Sequence, residues 1–150
     1  MKKTLVLALI LTGLALSWGC VSFKIKGILP AENQVEYIYV CKDVRESGGL
    51  AVPLEIQFQF KFSDGKIVCF VKMLEVDEEM TLSWRWYESE GRLLRDHRIT
   101  VNSAKRFMET VTAYDELVFA DLEREPAGGE WRVAVFLDGV LAGSRVFAIN

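Results

Sequence analysis

The chain predicts an all-β fold, an antiparallel sandwich, on three observations. Residues 54–62 read Leu-Glu-Ile-Gln-Phe-Gln-Phe-Lys-Phe, with apolar side chains at every second position. Period two over such a run is a half-buried strand, one face to a core and one to water. Leu82, Trp84 and Trp86 share one parity, and Trp131, Val133, Val135 and Leu137 share another. Asp138-Gly139 then separates two apolar runs, the strongest short signal for a two-residue primed turn. Each sheet so formed must bury one apolar face, and two sheets facing each other do so.

The elements follow in order. Residues 23–29 and 34–44 read as strands separated by Pro30 and Asn33. Residues 45–53, with Gly48 and Gly49, read as a loop. After the strand at 54–62, Ser63-Asp64-Gly65 is a turn, because Gly accepts the positive φ that turns require. Residues 66–76 form the next strand, and its interior from Ile67 to Val71 is apolar on both parities, as in a buried strand. Strands are expected over 80–87 and 92–101, with Gly91 turning the chain between them. Residues 102–112 suit a strand or a helix, and strand is favoured. Residues 115–124 read as one short helix, with Asp115 as its cap and Leu117, Val118 and Leu122 facing inward. The hairpin around Asp138-Gly139 closes the chain, giving eight or nine strands in all.

The first twenty residues have a different character. A basic start (Met1-Lys2-Lys3) precedes a short apolar run from Leu5 to Leu16, then Ser17, Trp18, Gly19 and Cys20. A membrane span needs about 20 apolar residues, so this run reads as an export signal. Gly19-Cys20 resembles the bacterial lipoprotein type, although Ser17 stands where such motifs usually carry Leu, and Trp18 follows it. The resemblance implies cleavage after residue 19, lipidation of Cys20, and one domain over 20–150. Val21 and Ser22 after the Cys imply an anchor on the periplasmic face of the outer membrane. A soluble periplasmic or secreted product is the alternative, since Ala15-Leu16-Ser17 has the small-x-small form of an ordinary cleavage site.

A Trp-bearing strand, a later connection and a closing hairpin, over about Lys66 to Asn150, resemble an immunoglobulin-like module. The penultimate strand has no Cys to face the Cys69 strand, so the inter-sheet bond of antibody domains is absent. The closing Gly-Glu-Trp-Arg-Val-Ala-Val-Phe-Leu-Asp-Gly of 129–139 resembles uncharacterised bacterial exported sandwich modules. The likeness implies a fold and a compartment and no activity.

Charge excludes one class of partner. Without Lys2 and Lys3 the 18 basic residues become 16 against 21 acidic ones, a net of −5. Nucleic acid requires clustered positive charge. Cys41 and Cys69 both lie in apolar strands, and in an oxidising compartment two thiols often pair. The 29-residue loop they would close, both cysteines included, would make such a disulfide worth about 3.5 kcal/mol. Two separate buried thiols are the other reading.

No catalytic signature emerges. His97 lies among Arg95, Asp96 and Arg98 and reads as an exposed structural histidine. Gly-x-Ser-x-Gly, P-loop and dinucleotide patterns are absent. Two thiols and one His supply too few ligands for a zinc site, so no metal or cofactor is expected. Asp77-Glu78-Glu79 offers oxygen ligands for calcium, but reads as a solvated turn. Glu88, Glu90 and Asp96 would need a defined separation to act as a glycosidase pair.

The aromatic residues open the remaining question. Trp84, Trp86, Tyr87 and Trp131 are candidate ligand-binding aromatics for a carbohydrate-binding module. The tryptophans also sit on core-facing parities, while Tyr87 and Phe136 lie on the opposite ones. The expectation is a non-enzymatic binding domain, held to the membrane by its N-terminal lipid. Its partner would be an envelope protein or a glycan.

Overall fold

Among the residues described by this computed structural model, 34–74, 76, 79–101, 110–123 and 127–150, there are nine strands and no long helix. The leader, Cys20, the strand expected over 23–29, and Asp77 and Glu78 lie outside them. The strands are β1 (Val35–Ser47), β2 (Leu50–Ile56), β3 (Gln59–Phe60), β4 (Lys66–Leu74), β5 (Met80–Tyr87), β6 (Leu93–Val101), β7 (Thr110–Val118), β8 (Gly129–Leu137) and β9 (Val140–Ile149). They form a four-stranded sheet, β2-β1-β4-β7, and a five-stranded sheet, β3-β9-β8-β5-β6. Every neighbouring pair is antiparallel except β3 and β9. The order β1-β4-β7 matches A-B-E of an immunoglobulin-like sandwich, and β9-β8-β5 matches G-F-C, with β6 as the added edge of variable-type domains. The fold is an immunoglobulin-like all-β sandwich.

The core lies between the layers. Trp84, Trp86 and Trp131 are each 0% exposed and pack with Ile67, Cys69, Val71 and Met73 of the facing sheet. Phe147 receives the edges of Phe60 and Trp86 at ring separations of 5.7 and 6.2 Å. Each tryptophan removes roughly 200 Å² from water, worth about 5 kcal/mol before entropy is charged against it. Gly143 lets β9 approach β1, since a Cβ there would stand 2.8 Å from Ile38 Cδ1.

Four local expectations are corrected. The alternating run 54–62 is not one strand. Glu55 adopts φ 52°, β2 stops at Ile56, and the chain passes to the other sheet as β3. Its side chains therefore do not share one buried face: Phe60 is 1% exposed and Phe58 57%. The loop at 45–53 is instead a tight hairpin, because Gly48 and Gly49 both take positive φ and β1 pairs with β2 up to Ser47 and Leu50. The helix expected over 115–124 is absent. β7 runs through Asp115 to Val118, and only a 3-10 turn, Phe119–Asp121, follows. The expected Cys41–Cys69 disulfide is replaced by two free buried thiols. In the β1–β4 register Cys41 opposes Val68 while Val40 opposes Cys69. That offset of one residue puts the thiols on opposite faces of the sheet.

The hairpin accounts for the second face. Its β2 strand reaches β7, where the Ala51 N–H donates to Thr112 Oγ1 at 2.8 Å. A small second core of Cys41, Val68 and Phe70 results, with Tyr39, Val44 and Tyr114 packed on it. The closing hairpin agrees with expectation. Asp138 (φ 48°) and Gly139 (φ 81°) form its turn, and Asp138 Oδ1 accepts the Thr81 N–H at 2.7 Å.

Candidate functional site

Two groups of polar side chains stand out. One is a seam between the layers, and the other is an open sheet face. The seam is built on Asp115. On β7, Val111, Ala113 and Leu117 pack against the core, and Asp115 shares their parity. Its carboxylate is 2% exposed, and a buried charge persists only with partners. Three are present. Trp86 Nε1–H on β5 donates to Oδ2 at 2.7 Å, Arg95 on β6 donates to Oδ1 at 3.0 Å, and His97 Nδ1 lies 2.7 Å from Oδ1. The Trp84 ring stacks on His97 at 6.0 Å. The seam thus ties β7 of one sheet to β5 and β6 of the other. It borders a shallow concavity of about 420 Å³ that also reaches Glu116 and Asp121. His97, expected as an exposed structural histidine, keeps 39% of its side chain exposed and is a member of this seam.

The open face is the outer side of the five-stranded sheet, and cross-strand register lays it out. One row runs Leu93, Tyr87, Arg132, Val146 across β6, β5, β8 and β9. The next runs Asp96, Arg85, Ala134, Ser144. A third runs Arg98, Ser83, Phe136, Leu141. Arginines stack on rings diagonally between rows and directly within one. The Arg85 guanidinium lies 4.2 Å from the Phe136 ring centre, and Arg132 lies 4.5 Å from that of Tyr87. Asp96 accepts from Arg85 Nε at 3.2 Å and from Arg98 at 2.9 and 3.2 Å. The Arg98 hydrogen bond, with Arg85 beside it, holds the Asp96 carboxyl below its usual range, and Asp96 in turn raises Arg98. Leu93, Val146 and Leu141 are 46–53% exposed around this mosaic.

The residues expected to carry function divide accordingly. Trp84, Trp86 and Trp131 are core fillers and offer no ligand platform, because no part of them reaches the surface. Trp131 Nε1–H donates to the Ala127 carbonyl at 2.9 Å. Tyr87 does face outward, as does Phe136, each beneath an arginine. Burial pushes the Cys41 thiol up to about 11, and burial also raises the Cys69 thiol well above its ordinary value. Glu88 is buried beside Arg92 at 2.6 Å, so neither Glu88 nor Asp96 stands apart from a cation. The arginine mosaic was missed in the sequence, where nothing marks Arg85 or Arg132. The signal for Asp115 was present, as an acid inside an apolar parity set.

No family model matches the chain, and no curated protein does. Solved structures do. The chain resembles a Pseudomonas fluorescens alkylpurine DNA glycosylase, AlkC, bound to DNA containing an abasic site analog, at TM-score 0.51 and 11% identity. That match covers 78% of this chain and 30% of the glycosylase, so the chain spans about a third of that protein. It also aligns with an immunoglobulin-like protein of Pseudomonas aeruginosa at TM-score 0.42 and 16% identity, covering 79% of this chain and 95% of the other. A β-glucosidase of Kluyveromyces marxianus aligns at TM-score 0.42 and 10% identity, over 76% of this chain and 14% of the enzyme. Likeness at such identities concerns the fold alone.

Proposed function

We propose that this protein is a non-enzymatic binding domain of the bacterial cell envelope, tethered through a lipid on Cys20, which presents the outer face of its five-stranded sheet to a partner protein. The observation that carries the reading is the composition of that face. Arginine and aromatic residues are enriched in protein interfaces and dominate their binding energy. Here Arg85, Arg132, Tyr87 and Phe136 occupy its centre, with Leu93, Val146 and Leu141 around them. The opposite sheet covers its Cys41, Val68 and Phe70 side with Tyr39, Val44, Ala51 and Tyr114, and its exposed Tyr37 lies under a lysine, Lys72, in place of an arginine. The tether reading rests on the Met1–Cys20 pattern. Between Cys20 and Val35 lie residues 21–34, which allow at most about 50 Å of reach when fully extended.

The carbohydrate-binding alternative loses its three tryptophans to the core. The hydrolase alternative has His97 committed to Asp115 and Asp96 committed to Arg98. A photo-reactive residue at Ser144, on the open face, is expected to cross-link an envelope protein in intact cells. The same group at Lys72, on the other sheet, is expected to capture nothing. Adducts from Lys72 and none from Ser144 would overturn the choice of face. Cys20→Ser is expected to release the chain from the membrane fraction, and retention there would overturn the tether. Saturable binding of peptidoglycan fragments in calorimetry would return the glycan reading to first place.

A further inference from the structure

We infer that the open face receives an extended acidic segment of polypeptide, and that Asp96 occupies one of its carboxylate positions in the unbound protein. The inference rests on the face proposed above as the binding surface. Its ground is a local reversal of charge. The whole chain is net acidic, at −3. The outer face nevertheless carries three guanidinium groups, Arg85 and Arg98 on the Asp96 carboxylate and Arg132 on the Tyr87 ring, against the acids Asp96 and Glu130.

Donor arithmetic gives the mosaic its capacity. A guanidinium carries five N–H donors in a planar fork, and a carboxylate has about four acceptor positions. Asp96 takes three contacts from Arg85 and Arg98. Most of the N–H groups on those two arginines therefore remain for other acceptors. Arg132 is stacked on Tyr87 and enters none of the ion pairs among the described residues. Stacking on Phe136 and Tyr87 fixes two guanidinium planes before any partner arrives, which lowers the ordering cost of binding.

Geometry selects the form of the partner. Arg85 and Arg132 lie on adjacent strands, and their guanidinium groups lean apart, Arg85 to the Phe136 ring in the third row and Arg132 over Tyr87 in the first. An extended segment laid along these strands, with acidic side chains on the side that faces the sheet, passes both. Leu93, Val146 and Leu141 provide apolar contact for side chains flanking the acidic ones. The guanidinium fork suits carboxylate and phosphate alike, and the apolar rim of Leu93, Val146 and Leu141 favours a polypeptide over a phosphate surface.

The test uses the full-length chain in neutral detergent and a labelled Glu-Val-Glu-Val-Glu-Val peptide, followed by fluorescence anisotropy. Saturable binding is expected at low salt, weaker at high salt. The Gln-Val peptide of the same length should not bind. Arg85→Gln and Arg132→Gln should each weaken binding by about tenfold, the value of one charge-assisted contact. Asp96→Asn should strengthen it, because two guanidinium groups lose their internal carboxylate. Equal binding of the Glu and Gln peptides would overturn the inference, as would an Asp96→Asn variant that stays folded by circular dichroism and binds no better. Binding to phosphatidylglycerol vesicles in place of the peptide would overturn it in favour of phosphate. If the peptide fails while Ser144 still cross-links a protein, the acidic segment is wrong and the face stands. If both fail, the face is wrong as well.

Discussion

Replacing Asp115 by Ala should cost about 3–5 kcal/mol of stability, the range for breaking one side of a buried ion pair. The parts can be assigned. Trp86 is 0% exposed and its indole N–H donates to Asp115 at 2.7 Å, so truncation leaves that buried donor without its acceptor. An orphaned buried donor costs about 1–3 kcal/mol. Arg95 and His97 have side chains 36% and 39% exposed and can turn to solvent, which limits each to about 1 kcal/mol. For a domain of this size, about 4 °C of melting temperature accompanies each kcal/mol, so a fall of about 12–20 °C is expected. Asp115→Asn keeps an acceptor for the indole and loses only the charge, so its cost should be about half as large. Urea unfolding of both variants, of Trp86→Phe and of Trp86→Phe/Asp115→Ala supplies a double-mutant cycle. If Asp115→Ala costs under about 1 kcal/mol, or if Ala and Asn cost the same, the seam does not hold the layers together as argued.

Other consequences are open to measurement. Gly143→Ala should destabilise by about 1–2 kcal/mol through overpacking, because the new methyl meets Ile38 Cδ1 at 2.8 Å. Ile38→Val in the same chain should recover part of that loss, and additive costs would refute the contact. Neither Cys41 nor Cys69 should react with a thiol reagent at pH 8 in the native protein, since burial holds both thiols protonated. Alkylation mapped by mass spectrometry should find both modified only after denaturation, and a linked Cys41–Cys69 peptide would contradict the free thiols. Asp43, Asp64 and Asp96 have carboxyls held below their usual range, Asp43 chiefly by Lys66, Asp64 by the Lys61 backbone N–H and Asp96 by Arg98. A depressed folded value stabilises above the unfolded value and is lost as pH falls through the folded one. Stability should therefore decline from about pH 4 downward, and Asp96→Asn should flatten part of that decline in urea titrations at pH 6 and pH 3.

The sequence disclosed local features better than relations between strands. Asp138-Gly139 and the shared parity of Leu82, Trp84 and Trp86 were readable because turn chemistry and side-chain alternation are local. Alternation over 54–62 was readable as strand, but it carries no label for which sheet each half joins. That choice is made by the kink at Glu55 and by partners more than eighty residues away on β9. Cys41 and Cys69 looked equivalent in their apolar surroundings, and only the β1–β4 register separates their faces. Asp115 read as a helix cap because an acid amid apolar neighbours more often marks an element's end than a buried hub. The arginine mosaic depends on four strands aligned side by side, a relation that no single stretch of sequence contains.

The Asp115 seam has one more effect. β6 and β7 are the last strands in the order of their sheets, where unpaired backbone invites docking by other chains. Arg95 and His97 point inward there and meet their counter-charge across the gap. Inward charge of this kind makes an edge a poor template, since a stranger strand would have to strip away that neutralising carboxylate. The same bonds that fasten the layers therefore also discourage self-association, and a variant lacking them risks clumping before it fully melts.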